Sequence, residues 1–435
     1  MTETWDEVSI NDIKSPSRYS LAMGPFGSNI KTDNFVPMGV PIIRGGNLSG
    51  DHFKDSNFVF LTEEKADELK SANAFPGDLI FTHRGTLGQV GIIPKNAKYP
   101  RYVVSQSQMK LSCDLSKIDP LFVYYFFRSD KGQHELLSNT STTGVPAISS
   151  PLSTLRSIRI PYPPLPIQHT ITHILGSLDN KIEIQRHMNE TLEAIARTIF
   201  QSWFVDFDPV QAKVDGRQPG CVDASTAEMF PSEFEEIEGR EVPKGWRIAS
   251  LSEIFEINPQ RSLAKDQIAP YLDMQNVPTR GHRPIDWVDR DFSSGTKFVN
   301  GDTLMARITP CLENGKTIFV DFLNDAQVGW GSTEYIVLRP KSPLPPEFGY
   351  LLARDEEFRA HAILNMSGSS GRQRVPSKCF DSYQIVVPTK PVAEKFGEIV
   401  KLLMVRIKKN DEQSRTLVTL RDSLLPKLMS GEIPV

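Results

Sequence analysis

Cysteine is scarce in this sequence. Cys113, Cys221, Cys311 and Cys379 are the only four in 435 residues, and no two form a CxxC pair. That spacing writes neither a zinc knot nor a disulfide framework, and it fits a reduced compartment. No apolar run approaches the roughly eighteen residues of a membrane span, so no span is expected. The stretch Met1–Glu7 is acidic and lacks the basic start of a secretory signal, so the expected location is the cytoplasm. A basic excess is missing too: the net charge is −4, which taken alone argues against a nucleic-acid binder. The deficit is local, however. Residues 204–241 hold ten acids against three bases, a net −7 that leaves the rest of the chain at +3.

Catalytic motifs are equally sparse. There is no GxGxxG and no Asn-Pro-Pro-aromatic tetrad; "INPQ" (257–260) is not one, so cofactor-driven base methylation is not written here. "PCLENGKT" (310–317) ends like a phosphate-binding loop but begins with Pro310, which has no amide to donate. His169 and His173 lie four apart on a helical pattern, with no acid in HExxH order and no third ligand, and read as solvent-facing. Ser369 and Ser370 in "SGSSGRQR" lack the GxSxG order of a nucleophile elbow and read as a polar loop. The expectation is a chain with no catalytic residue, no metal and no cofactor of its own.

What is present is a duplication. "TWDEVSINDI" (4–13) is written again within "PKGWRIASLSEI" (243–254), aligning Trp5, Ser9 and Ile13 with Trp246, Ser250 and Ile254. "FPGDLIF" (75–81) matches "VNGDTLM" (299–305), "PLFVYYFFRSD" (120–130) matches "PEFGYLLARDE" (346–356), and "IRIPYPPLP" (158–166) matches "QIVVPTKP" (384–391). Laying Pro166 on Pro391 then keeps two long helical patterns in register to their ends. Each copy thus has a compact mixed part, 1–160 or 243–388, with short β-rich runs and one helix near 120–137 or 346–364. Each then has a helix of about forty residues, 165–204 or 391–429, some 60 Å long. The expected boundaries are 1–160, helix 161–207, an acidic and loosely ordered linker 208–242, 243–388, and helix plus tail 389–435.

A long amphipathic helix cannot hide its stripe alone, and two with matched stripes can. The fold class expected is therefore α+β: two mixed domains separated by two long helices paired as an antiparallel coiled coil, with pseudo-two-fold symmetry. The expected seam is Ile171, Leu178, Ile182, Leu192 and Ile199 against Phe396, Leu403, Ile407, Leu417 and Leu424. Gln185 and Asn410 share one position on the stripe; they either fix register inside the seam or sit at its edge and reach water.

Two related domains on a stiff spacer suit a ligand with two similar sites, and duplex DNA offers half-sites about 34 Å apart on one face. Near-identical surfaces presented twice would also recruit two copies of a partner. The copies differ in length between Trp5–Gly77 and Trp246–Gly301, and "GPFGSNIKTDNF" (24–35) has no counterpart, so the two halves of the target should differ.

The segments "GPFGSNIKTDNFVPMGVPIIRGGNLSG", "GSTEYIVLRPK", "MSGSSGRQRVPS", "LPIQHTITHILGSLDNKIE", "WFVDFDPV" and "LRDSLLPKLMSGEI" resemble the specificity (S) subunits of Type I restriction–modification systems. The resemblance spans essentially the whole chain, in the family's order and at both repeats. It implies two target-recognition domains, each reading half of a bipartite double-stranded DNA site. It implies paired helices that act as a ruler and dock two methyltransferase subunits. S-adenosylmethionine, ATP and Mg would belong to partner subunits, and a restriction subunit can join. The competing readings are a coiled-coil scaffold for two protein partners that never reads DNA, and a self-sufficient nuclease or methyltransferase.

Candidate DNA contacts follow from residue chemistry: Arg is bidentate to guanine and Asn to adenine. Arg44 and Asn47 lie in "IIRGGNLSG", with Asn276 aligned to Asn47; base contact and a turn that needs Asn and Gly are both open. His83 and Arg84 follow a strand, Arg307 holds the like place in the second copy, and Arg372, Gln373, Arg374 and Lys378 cluster after a Gly/Ser loop. "GPFGS" is either a turn or a cradle of amides for a phosphate.

Overall fold

The structure is a computed structural model and describes residues 5–27, 29–50, 52–141, 144–220, 222–369 and 371–435. Ser28, Cys221 and Ser370, named above, lie outside the described residues. The chain divides into two compact units: Met1–Ile182 with Arg415–Val435, and Glu183–Ser414. Each long helix therefore gives part of its length to each unit.

Both units repeat one sheet plan. In the first, an antiparallel sheet runs Leu21–Met23, Gln108–Leu111, Leu79–Thr82, Val90–Ile92. A second runs Phe60–Leu61, Val40–Ile43, Tyr102–Val104, Asn73–Ala74, with Ile42 and Ile43 parallel to Val103 and Val104. In the second unit the matching orders are Phe255–Ile257, Tyr335–Pro340, Thr303–Ala306, Thr317–Phe319 and Val288–Asp291, Ile268–Leu272, Gly329–Gly331, Thr296–Phe298. Its parallel pair is Tyr271 and Leu272 against Trp330 and Gly331. The repeated Trp-x-x-small-Ser segments form the outer strand pairs, Glu7–Ser9 with Arg159–Pro161 and Arg247–Ser250 with Gln384–Val387. The central strands are buried on both faces, so they read as apolar runs and not as alternation.

The single helix expected near 120–137 is two, Pro120–Arg128 and Asp130–Leu137, and its counterpart is Pro346–Arg354 and Glu356–Leu364. The break is a capping event. Ser129 and Asp355 leave helical geometry and accept from the amides of Gly132 and Phe358 at 3.2 and 2.9 Å.

The long helices are Leu165–Phe204 and Lys390–Met429. They pack together in each unit. In the first, Ile171 and Leu175 join Leu425, Leu428 and Met429 in the core that also holds Phe122–Phe127. Asp179 is buried there, accepting from Arg421 Nη1 at 2.8 Å and from the Tyr125 hydroxyl at 2.7 Å. In the second, Ala196, Phe200, Trp203 and Phe204 meet Val392, Phe396, Val400 and Met404. Of the expected seam, Ile171, Phe396 and Ile407 are buried, while Leu178, Ile182, Leu192, Ile199, Leu403, Leu417 and Leu424 are half-buried. Gln185 and Asn410 are both buried. Ser414 Oγ donates to Gln185 Oε1 at 2.7 Å, Gln185 also bonds Gln413, and Asn410 Nδ2 donates to Asn189 Oδ1 at 2.9 Å. With Pro166 laid on Pro391, the Gln185–Ser414 and Asn189–Asn410 pairs exchange.

The stretch 208–242 is not a loose linker. Helices Asp208–Val214 and Ala224–Glu228 and the hairpin Phe234–Ile237/Arg240–Pro243 fold against the second unit. Val210, Phe230 and Val242 are buried there, with Trp203 and Phe230 ring centroids 5.0 Å apart edge to face. Those apolar residues outweigh the acids, which lie outside.

Candidate nucleic-acid interface

In the first unit the strand Leu79–Thr82 runs out into His83 and Arg84. The His83 amide donates to Ser107 O, its carbonyl accepts from Ile148 N, both at 2.9 Å, and Arg84 bridges to Ala147. The His83 ring is buried with Nε2 3.0 Å from Gln106 O; burial pulls its pKa below the ordinary histidine value, so it is neutral at pH 7 and anchors the 105–108 turn. Arg84 stands exposed with no partner among the described residues. The 105–108 turn walls a cleft of about 420 Å³ together with Pro25, Gly27, Phe35, Arg44 and Gly45. Arg44 lies over the Phe35 ring, 5.4 Å from its centroid, which fixes a guanidinium at the cleft wall.

The glycines of "GPFG" serve close packing. A Cβ on Gly24 would run into the Ser105 carbonyl, and the Gly24 amide is already bonded to Gln108 O at 2.9 Å. Asn47 is buried and wholly engaged: its Oδ1 accepts from the Arg44 amide at 2.9 Å and its Nδ2 donates to the carbonyls of Lys54 and Ser56 at 3.0 Å. It holds the loop that presents Arg44. Asn276, its counterpart, is half-exposed, with its side chain unpartnered among the described residues, and Asp273 stands where Arg44 does, accepting from the amides of Gln275 and Asn276.

In the second unit the same framework recurs with other side chains. The Arg307 amide donates to Glu334 O at 2.9 Å, its carbonyl accepts from Val375 N at 2.8 Å, and Ile308 bridges to Arg374. Thr309 N donates to Gln373 O at 3.0 Å. Arg307, Gln373 and Arg374 therefore converge on one strand exit, as His83, Arg84 and the 146–148 segment do in the first unit. Arg374 Nε lies 2.9 Å from both Glu334 carboxylate oxygens and Nη2 donates to one of them at 2.6 Å. Arg307 Nε is buried with no hydrogen-bond partner. Arg372 and Lys378 are exposed on the flanking turns, and neither touches the ion pair. Glu334, Ser107, Gln106 and Phe35 were not singled out by sequence. Each reaches the site from a loop remote in the chain, and the only signal for Glu334 was its place in "GSTEYIVLRPK", one of the segments that carry the family resemblance.

The phosphate-loop look-alike is closed by its own bonds. The amides of Asn314, Gly315 and Lys316 bond to Pro310, Leu312 and Cys311 carbonyls, and Lys316 Nζ donates to Met274 O at 2.6 Å. Among the described residues no group of three or more His, Cys, Asp or Glu is placed to hold a metal. No helix among them is long and apolar enough to cross a membrane.

These paired sheets, repeated strand exits and interlocked helices define a duplicated fold, and comparison with known proteins says what it is similar to. Residues 3–194 match the Type I restriction modification DNA specificity domain. The chain is 24% identical over 383 residues to the MjaIX specificity subunit of Methanocaldococcus jannaschii, covering 86% of this chain and 81% of that one. It is 24% identical to the HindI specificity subunit of Haemophilus influenzae, covering 99% of both. The crystal structure of an S subunit of a Type I restriction–modification system from M. genitalium shares the fold, with a TM-score of 0.57 at 16% identity over 98% of this chain and 96% of that one. Residues 3–194 thus match the DNA specificity domain, and over nearly its whole length the chain is similar to specificity subunits of Type I restriction–modification systems.

Proposed function

We propose that each sheet-bearing unit reads one half of a split, asymmetric duplex DNA site, and that the long helices set the spacer and seat two methyltransferase subunits. One observation carries this reading: a single backbone framework holds opposed chemistry at matching positions. Arg44 corresponds to Asp273, Ser107 to Glu334 and Ala147 to Arg374 in the repeat. A scaffold held constant while the charge of its side chains changes is suited to unlike base edges. The methyltransferase seat is supported by apolar side chains left outside the seam, with Ile184, Leu402 and Leu420 56%, 72% and 44% exposed. S-adenosylmethionine, ATP and Mg would then act in the partner subunits.

The test lengthens the helices. Four residues inserted after Arg186 and four after Glu412 keep the buried amides paired and add about 6 Å, against about 3.4 Å per base pair. Single-molecule sequencing of methylated adenines, in cells carrying the chain and its methyltransferase partner, should show the spacer longer by one or two base pairs with both half-sites kept. Altered half-sites around an unaltered spacer would sink the ruler.

A further inference from the structure

We infer that Arg374 and Glu334 act as one device that reads a guanine in the half-site of the second unit, an inference that rests on the half-site reading above. A guanidinium has two bidentate edges. The side edge, Nε with Nη2, is held by the Glu334 carboxylate at 2.6–2.9 Å. The end edge, Nη1 with Nη2, bonds no other side chain among the described residues, and it is the edge that matches guanine O6 and N7. The Arg374 side chain is 46% exposed and the Glu334 side chain 22%, so the acid is the inner partner and the base the outer one. The backbone beneath is fixed: Arg374 and Ser367 exchange amide–carbonyl bonds at 2.8 and 3.0 Å, and Arg374 bridges to Ile308. Glu334 is tied to the same strand exit through Arg307.

The first unit serves as an internal control. The positions of Glu334 and Arg374 there are Ser107 and Ala147, so the acid and the base are present together or absent together. A chance surface ion pair would not have to arise at the one place where the strand exit meets the loop. Glu334 stiffens Arg374 in the orientation that reads, which lowers the ordering cost of binding. By this account Arg374 touches the base and Glu334 is a positioning residue.

The experiment uses the chain with its methyltransferase partner in a host without other adenine methylation, and reads the methylated motif by single-molecule sequencing. The parent should require a G·C pair at one position of one half-site. Arg374→Ala should raise methylation of sites substituted at that position about ten-fold or more relative to the parent motif. Arg374→Lys, which keeps the charge and loses the fork, should relax the same position. Glu334→Gln should relax it less, with an unmoved melting temperature. The other half-site and the spacer should stay as in the parent. A uniform loss across all sequences would make Arg374 a phosphate contact and overturn the inference, as would an unchanged motif in Arg374→Ala. A parent complex that selects no split motif would instead defeat the half-site reading on which the inference stands.

Discussion

The two units hold the same helices together by opposite means. In the first, the seam contains a buried ion pair, Asp179 with Arg421, to which the Tyr125 hydroxyl is bonded. In the register that lays Pro166 on Pro391, the second unit has Met404 and Ala196 at those places, and Leu351 at that of Tyr125. The second seam is closed by rings, Phe204 with Phe396 at 4.7 Å and Phe200 with Phe348 at 5.1 Å. A common backbone interlock therefore accepts a polar or an apolar filling. What must be kept is the volume and, for the polar version, every partner.

The largest expected effect breaks the polar filling. Arg421→Ala leaves Asp179 buried beside a void and should lower the unfolding free energy by about 3–5 kcal/mol in urea titrations followed by circular dichroism. Copying the other unit with Asp179→Met, Tyr125→Leu and Arg421→Ala together should recover more than half of that loss. An Arg421→Ala chain as stable as its parent would show that the two fillings are not alternatives.

A smaller effect separates the matched asparagines. Asn47→Ala strands the Lys54 and Ser56 carbonyls and the Arg44 amide, so it should cost about 1–3 kcal/mol. Asn276→Ala, at the corresponding place, should stay within about 0.5 kcal/mol, because its side chain bonds nothing described. Equal losses in urea unfolding would erase the distinction between a loop-holding and a free asparagine.

The smallest effect concerns acid. Burial pushes the Asp321 pKa up, but the nearby His282 ring, with Nε2 3.5 Å from Oδ2, and the charge of Arg283 prevail and hold it below the ordinary carboxylate value. Arg283 also reaches Asp411 on the second long helix at 3.0 Å, and Lys408 donates to Asp321 O at 2.6 Å. A carboxylate lowered in the folded state stabilises fully above its unfolded pKa, about 3.9, and that stability drains away as pH falls through the folded value. Asp321→Asn should therefore flatten the acid limb of stability below about pH 4, where the parent is still losing stability. Pro94 stands at the matching position of the first unit, so no change there can mimic it.

Much of this architecture was legible in the sequence because it is periodic. The duplication and the two long helices follow from the apolar spacing and the shared register, whereas the inward turn of Gln185 and Asn410 did not, because a place at the stripe edge suits a seam and a wet surface alike. The folded connector was not legible. Phe207, Val210, Phe230 and Val242 show no period, and their partners Trp203 and Trp246 flank the connector and do not lie within it. The split at Ser129 was visible only as a capping residue inside an apolar run. At the candidate site, residue chemistry named Arg307, Gln373 and Arg374, which lie together, but not Glu334, whose meeting with Arg374 depends on a loop closing onto a strand from some forty residues away. Asn47 stayed ambiguous because adenine and a tight turn call for the same amide.

The strand exits are bonded alike in both units, with His83 to Ser107 and Ile148 as Arg307 to Glu334 and Val375. Main chain alone makes those bonds, so side chains there can be exchanged in an evolving lineage without refolding the domain. On the half-site reading proposed above, new target preferences would then arise in steps of one or two codons, and a cell would gain a new methylation pattern while its partner subunits stayed as they were.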